Sequence, residues 1–209
     1  MAPVNNTFVT RAAAYYTGKL QQHGPTHRGV DWNSVESQQL RFQQLLRLCE
    51  GESQLEINDY GCGYGALVDH LRADGRPFQY LGFDASPEMI SAARAAHAAV
   101  ANCRFTGSRT EFTARPYTVA SGVFNVKFEA AVDDWWQYVS EALDDLAALS
   151  TRGFAFNLLT AYSDAERRRA DLFYAEPEAV FAHCIKRFSR AVSLSHDYPL
   201  YEFTVVVRL

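Results

Sequence analysis

Apolar positions along this chain recur with two periods, and the switches between them mark alternating strands and helices. The first clear helical stripe is Phe42, Leu45, Leu46 and Cys49. Its segment opens near Asn33, where Asn33 with Glu36 resembles a capping box, and closes at Gly51. Leu55 to Tyr60 reads as a strand that runs into Gly61-Cys62-Gly63-Tyr64-Gly65 and then into a helix carrying Leu67, Val68 and Leu71 on one face. After a break at Gly75-Arg76-Pro77, Tyr80 to Phe83 is a second buried strand that ends on Asp84. Ser86 as N-cap, Pro87 at the first helical position and Glu88 in the first turn open an alanine-rich helix reaching about Ala99. Cys103 to Phe105 and Tyr117 to Phe124 are the third and fourth strands, and Gly153 to Leu159 is the fifth.

Between the fourth and fifth strands, Asp133 to Ala148 is helical with Trp136, Val139, Leu143 and Leu146 on one side. Trp135 and Trp136 point about 100° apart on a helix, so one belongs in the core and the other at its rim. Pro177 opens a last helix, and Arg190–Leu194 and Phe203–Leu209 flank a turn at Tyr198-Pro199. A parallel return needs a crossover of about a dozen residues or more, so these last two runs pair antiparallel. The alternation predicts one α/β domain: a doubly wound, mostly parallel sheet with helices on both faces.

The stretch before this rhythm is the least regular. Tyr15, Tyr16, Lys19, His23 and Trp32 surround the turn-rich run His23 to Gly29, which suits either a flap over a pocket or an arm packed on the surface. The expected organisation is a cap at residues 1–32 and the α/β domain at 33–209.

Composition narrows the functional classes. A 209-residue chain that is 48% hydrophobic can bury a full core, and its net charge of −4 lacks the basic excess by which proteins hold duplex nucleic acid. Cys49, Cys62, Cys103 and Cys184 show neither a CxxC pair nor zinc-site spacing, so reduced thiols and no metal are expected. Met1 to Thr10 has no basic or apolar leader region, and nowhere do about 18 apolar residues run together. The expectation is a cytoplasmic protein without a membrane partner.

The chemistry concentrates at the glycine turn. Glycines let the backbone bend sharply and approach a ligand, and the following helix aims free N–H groups at the same space. In a doubly wound sheet the ligand lies beyond the C-terminal strand ends, where an acid ending the second strand holds a ribose. Asp84, nineteen positions after Gly65, has that spacing. The third glycine falls one place earlier than in G-x-G-x-x-G, which favours a nucleoside cofactor other than NAD.

Asp59-Tyr60-Gly61-Cys62-Gly63-Tyr64-Gly65, followed by Leu81-Gly82-Phe83-Asp84-Ala85-Ser86-Pro87-Glu88-Met89 and the terminal antiparallel hairpin, resembles the class I S-adenosylmethionine-dependent methyltransferases. The resemblance runs from about Leu55 to the C-terminus and implies a seven-stranded sheet and S-adenosylmethionine as cofactor. It also implies that Asp59, Gly61, Cys62 and Gly63 approach the methionine part, that Asp84 with Ala85 takes the ribose hydroxyls, and that Met89 touches the adenine. Gly107 and Ser108 stand where many members present an acid to the adenine, and Ala120, Ser121 and Gly122 match the segment beside the sulfonium. Phe124, Asn125, Trp32 and Tyr162 are the candidate acceptor contacts.

Some side chains keep two readings. Arg41 either reaches the cofactor carboxylate or is solvated, and Tyr16, Tyr60 and Tyr64 either face the cationic sulfur or only pack. His23, then His196, are the candidate bases if the acceptor must lose a proton, against plain turn residues. The Arg167-Arg168-Arg169 run reads as a wet helix face. Without an Asn/Asp-Pro-Pro-Tyr motif or a basic patch, a small-molecule acceptor is expected rather than a nucleic acid. A non-catalytic nucleoside-binding protein and an NAD-dependent oxidoreductase are the competing classes.

Overall fold

The structure, a computed structural model, describes residues 6–209; residues 1–5 of the expected cap lie outside the described residues. In chain order the elements are α1 (Asn6–His23), α2 (Val35–Leu46), β1 (Leu55–Tyr60), α3 (Ala66–Asp74), β2 (Phe78–Phe83), α4 (Pro87–Ala96), β3 (Cys103–Thr106), β4 (Arg115–Ala120), α5 (Val132–Ala148), β5 (Ser150–Thr160), β6 (Tyr174–Ala175), α6 (Pro177–Arg187), β7 (Ala191–Ser195) and β8 (Glu202–Arg208). The sheet runs β3-β2-β1-β4-β5-β8-β7, and two-residue β6 pairs with the end of β5. The first five of these strands are parallel; β8 is antiparallel to both β5 and β7. Seven strands therefore form the expected path, and β6 is the addition.

Alternation along the strands sorts side chains between two cores. On β5, Phe154, Phe156 and Leu158 join Val139, Leu143 and Leu146 of α5 and Val180 and Cys184 of α6. Ala155 points the other way, into a second core with Phe42 and Leu45 of α2, Leu67 and Val68 of α3 and Ile90 of α4. On β8 the same alternation sends Phe203, Val205 and Val207 to the first core and Val206 to the second. Trp135 is the core tryptophan of α5 and Trp136 the rim one, so the stripe expected through Trp136 passes through its neighbour.

Local chemistry explains several boundaries. Ser34, not Asn33, caps α2: its hydroxyl accepts from the Ser37 N–H (3.1 Å) while the Ser37 hydroxyl accepts from the Ser34 N–H (3.3 Å). Ser86 caps α4 by accepting from the Met89 N–H at 3.1 Å, with Pro87 beginning the helix.

The largest departure is at the N-terminus, where an irregular segment was expected and an 18-residue helix is found. It lies across the sheet's C-terminal edge. Near its start, Phe8 meets Trp135 and Tyr138 edge-on, with ring centroids 5.2 and 5.6 Å apart. Near its end, the Thr17 hydroxyl is 2.8 Å from that of Ser86 and donates to Glu88 at 3.1 Å. Asp31 ties the returning chain to the helix, accepting from Tyr15 and Lys19 at 2.7 Å each. The Arg167–Arg169 run is exposed, as a wet face requires, but it forms a single 3-10 turn and a loop instead of a helix face.

Candidate active site

β1 has β2 on one side and β4 on the other, with the chain crossing to opposite faces of the sheet, and the crevice this opens beyond the strand ends is where such folds bind ligands. A cavity occupies it. About 120 Å³ is space for the centre of a water-sized sphere; one water needs only about 10–15 Å³ by this measure, so the space is ligand-sized.

The floor is the turn after β1. Gly61, Gly63 and Gly65 have φ of +79°, +54° and +85°, in the left-handed region that side chains resist. They are glycines partly for internal packing: a Cβ on Gly61 would come within 2.6 Å of Val123, and one on Gly65 within 2.9 Å of His97 and Phe105. Asp84, just past β2, accepts from the Gly63 N–H at 2.8 Å and from the Ser86 N–H at 2.9 Å, which fixes its carboxylate against the turn. Asp59, last but one in β1, accepts from the Tyr80 hydroxyl at 2.7 Å. Burial pushes its carboxyl up to about 7, Asp84 adding to the rise and Tyr80 opposing it. Burial also holds the Asp84 carboxyl above the ordinary range, against its two backbone hydrogen bonds.

The roof is α1, whose Val9, Ala12, Ala13 and Tyr16 line the cavity at helical spacing. The side wall is the turn after β4, Ser121-Gly122-Val123. The Ser121 hydroxyl oxygen is buried without a hydrogen-bond partner among the described residues. The turn is braced from behind by four side chains. The Gly122 N–H donates to Asn157 Oδ1 (2.8 Å), and the Asn157 amide donates to Glu202, which takes the Arg41 Nε–H (2.9 Å) and a further guanidinium nitrogen. Arg41 in turn lies 3.8 Å from the centre of the Trp32 ring, and that ring fills the space beside Gly122, where a Cβ would sit 2.3 Å from it. The circuit closes on the residue where it began.

The cavity thus brings together Tyr16, Trp32, Asp59, Gly61, Cys62, Gly63, Asp84, Ala85, Met89, Ser121 and Gly122. Other candidates lie elsewhere, each for a visible reason. Arg41 is neither solvated nor aimed at the cavity, because Glu202 holds it in the protein interior at 6% exposure. β4 ends at Ala120 rather than running to Phe124, and Gly122 at φ +70° turns the chain so that Val123 faces the cavity. Ala120, Phe124 and Asn125 are consequently buried behind it. Tyr162 is 65% exposed and donates to Glu178. Gly107 lines a separate depression with Pro87 and Arg94, and Ser108 pairs with Thr110. His23 ends α1 and His196 packs beside Tyr162 and Phe203; neither lines the cavity.

Tyr60 and Tyr64 also line the cavity; the Tyr60 ring packs with Phe83 and Phe112, and the Tyr64 hydroxyl donates to Gln38. Among the lining residues missed from sequence are Val9, Ala12 and Ala13 of the roof, and with Tyr16 they carried a signal: positions 9, 12, 13 and 16 fall three or four apart on one helical face.

Comparison with known proteins bears on this geometry. Residues 57–148 match the model of a methyltransferase domain. Rv1506c of Mycobacterium tuberculosis H37Rv, whose name assigns it as a methyltransferase without a substrate, is 46% identical over 163 residues, covering 78% of this chain and 98% of its own. The chain belongs to the class I S-adenosylmethionine-dependent methyltransferases. Two solved structures show how far the fold is shared. Magnesium protoporphyrin IX methyltransferase from Synechocystis PCC 6803, with S-adenosylhomocysteine bound, aligns at TM-score 0.64 and 14% identity over 98% of this chain and 97% of that one. The N-methyltransferase NodS from Bradyrhizobium japonicum WM9, with the same ligand, aligns at TM-score 0.64 and 17% identity over 94% and 97%. The methyltransferase has no helix among its described residues long and apolar enough to cross a membrane, and no group of three or more metal-ligating side chains there. All four cysteines are free thiols.

Proposed function

We propose that this cavity binds S-adenosylmethionine and that the enzyme passes the methyl group in line to a small-molecule acceptor, with residues 1–32 serving as the cap over both. The observation that carries the reading is the enclosure of a glycine turn and a strand-end aspartate beneath a helix. The residues suit the group: backbone without side chains at Gly61 and Gly63, a fixed carboxylate at Asp84, and an unpartnered buried hydroxyl at Ser121. Asp84 would accept from the ribose hydroxyls, Asp59 with the turn would hold the amino-acid end, and Ala85 and Met89 would lie against the adenine. When bound, the cofactor supplies a methyl carbon made electrophilic by a positively charged sulfur.

The protein's own contribution is to orient and to exclude water. Holding two reactants at near-attack distance is worth up to about 7–11 kcal/mol, and α1 with Trp32 closes the space in which that holds. The hydroxyls of Tyr16 and Tyr138, which line the cavity, are pushed above the ordinary phenol range by burial, so they keep their protons and donate hydrogen bonds. No histidine lines the cavity among the described residues, so the reading places no histidine base there. The porphyrin named for one solved relative is a small-molecule acceptor, in keeping with this reading.

Calorimetric titration with S-adenosylhomocysteine tests the cofactor site: Asp84→Ala should remove measurable binding, and an unchanged affinity would overturn the assignment. Methyl-labelled cofactor incubated with a metabolite extract then tests turnover.

A further inference from the structure

Once the cofactor's share of the cavity is set aside, what remains has one consistent chemistry. The charged side chains lining the cavity are Asp59 and Asp84, both on the β1 and β2 side and both already accepting hydrogen bonds. The lining also includes Val9, Ala12 and Ala13 from α1, Val30 and Val123, with the uncharged polar side chains of Tyr16, Gln38, Tyr64 and Tyr138 among them; Gln38 and Tyr64 are already hydrogen-bonded to each other. Neither the Tyr16 nor the Tyr138 hydroxyl has a hydrogen-bond partner among the described residues, whereas nearby Tyr15 spends its hydroxyl on Asp31. Among the described residues, no lysine, arginine or histidine lines the cavity. Three cations on or near α1 are paired elsewhere: Lys19 with Asp31, Arg11 with Glu129, and Arg169 with Asp171.

From this lining we infer that the acceptor is an uncharged molecule with an apolar or aromatic body and one or two hydrogen-bonding groups, and that carboxylate- and phosphate-bearing acceptors are rejected. The inference rests on the reading of the cavity as the cofactor-and-acceptor site. Its physical basis is desolvation: apart from the cofactor's own sulfonium, an anion entering this space exchanges water for alkyl surface and meets no basic side chain among the described residues, while Asp59 and Asp84 line the same cavity. An uncharged molecule loses little by the same transfer, gains from burial of its apolar surface, and finds two free hydroxyls to orient it.

The test is calorimetry on the full chain saturated with S-adenosylhomocysteine, using matched pairs that share a body: 2-naphthol against 2-naphthyl phosphate, benzyl alcohol against benzoate, and indole against indole-3-carboxylate. The neutral members should bind at least tenfold tighter than their anionic partners. Ala13→Arg, which sets a cation on the wall, should shift the preference toward the anions by a similar factor. Anions that bind the unaltered protein as tightly as their neutral partners, or a series in which no neutral member binds, would overturn the inference. Failure of S-adenosylhomocysteine itself to bind would instead overturn the cofactor reading beneath it.

Discussion

Asp59 shows at the scale of one residue what burying a carboxyl in the cavity wall costs. Its carboxyl titrates near 7 in the folded chain against an ordinary 3.8, so between those values the folded state holds a proton that the unfolded state has released. Stability contributed by this group is therefore lost as pH rises from about 4 to 7, and above 7 the buried carboxylate costs on the order of a few kcal/mol. Asp59→Asn keeps an acceptor for the Tyr80 hydroxyl and removes the charge. It should raise the apoprotein's Tm at pH 8, with the difference vanishing near pH 4, and thermal denaturation across that range measures both. The same substitution should weaken cofactor binding if Asp59 faces the amino-acid end, and affinity in the unaltered protein should fall as pH drops below 7. A higher Tm with undiminished affinity would remove Asp59 from the site.

At the scale of elements, the turn after β4 owes its shape to strands and helices far from it in sequence. Glu202 on β8 is 1% exposed and holds Arg41 of α2, while Asn157 on β5 bridges Glu202 to the Gly122 N–H. Removing one partner of such a pair strands the other charge. Glu202→Ala should cost roughly 3–5 kcal/mol in urea denaturation, while Arg41→Met with Glu202→Leu should recover most of it. The double variant, unlike Glu202→Ala, also lacks the guanidinium against Trp32, so its catalytic efficiency should fall below that of the unaltered protein although its stability returns.

The α1 helix is held by a few rings and hydroxyls rather than by the sheet. Phe8→Ala should speed amide exchange in α1 and raise the acceptor KM, with protection in β1, β4 and β5 unchanged. Equal acceleration throughout would mean that the cap and the sheet open together.

At the scale of the molecule, β5 and β8 join the two cores. Phe156 is fully buried at the middle of this pair, so Phe156→Ala should cost about 3–5 kcal/mol and lower protection across all central strands at once. Legibility from sequence follows the same geography. The glycine turn and the Asp84-to-Pro87 run are each short motifs whose geometry shows in the order of the letters: Ser86 and Pro87 act through neighbours within a few residues, and Asp84, bonded to Gly63 from 21 positions away, was legible by its fixed spacing from the turn. The hairpin was legible because its connection is too short for a crossover. Arg41 was not: its partner lies 161 positions away, and nothing near Arg41 distinguishes an arginine facing water from one facing Glu202. Phe124 and Val123 differ by one position, and only the bend at Gly122 decides which of them faces the cavity.

Sequence alone therefore determined the strand and helix order from α2 onward apart from β6, the antiparallel end of the sheet and the glycine turn, because each depends on periodicity or on residues close in the chain. The tertiary structure decided the rest. It laid α1 over the strand ends, closed the circuit from Gly122 through Asn157, Glu202 and Arg41 to Trp32, and left the described lining of the cavity without a basic side chain. These depend on which distant surfaces meet when apolar faces are buried.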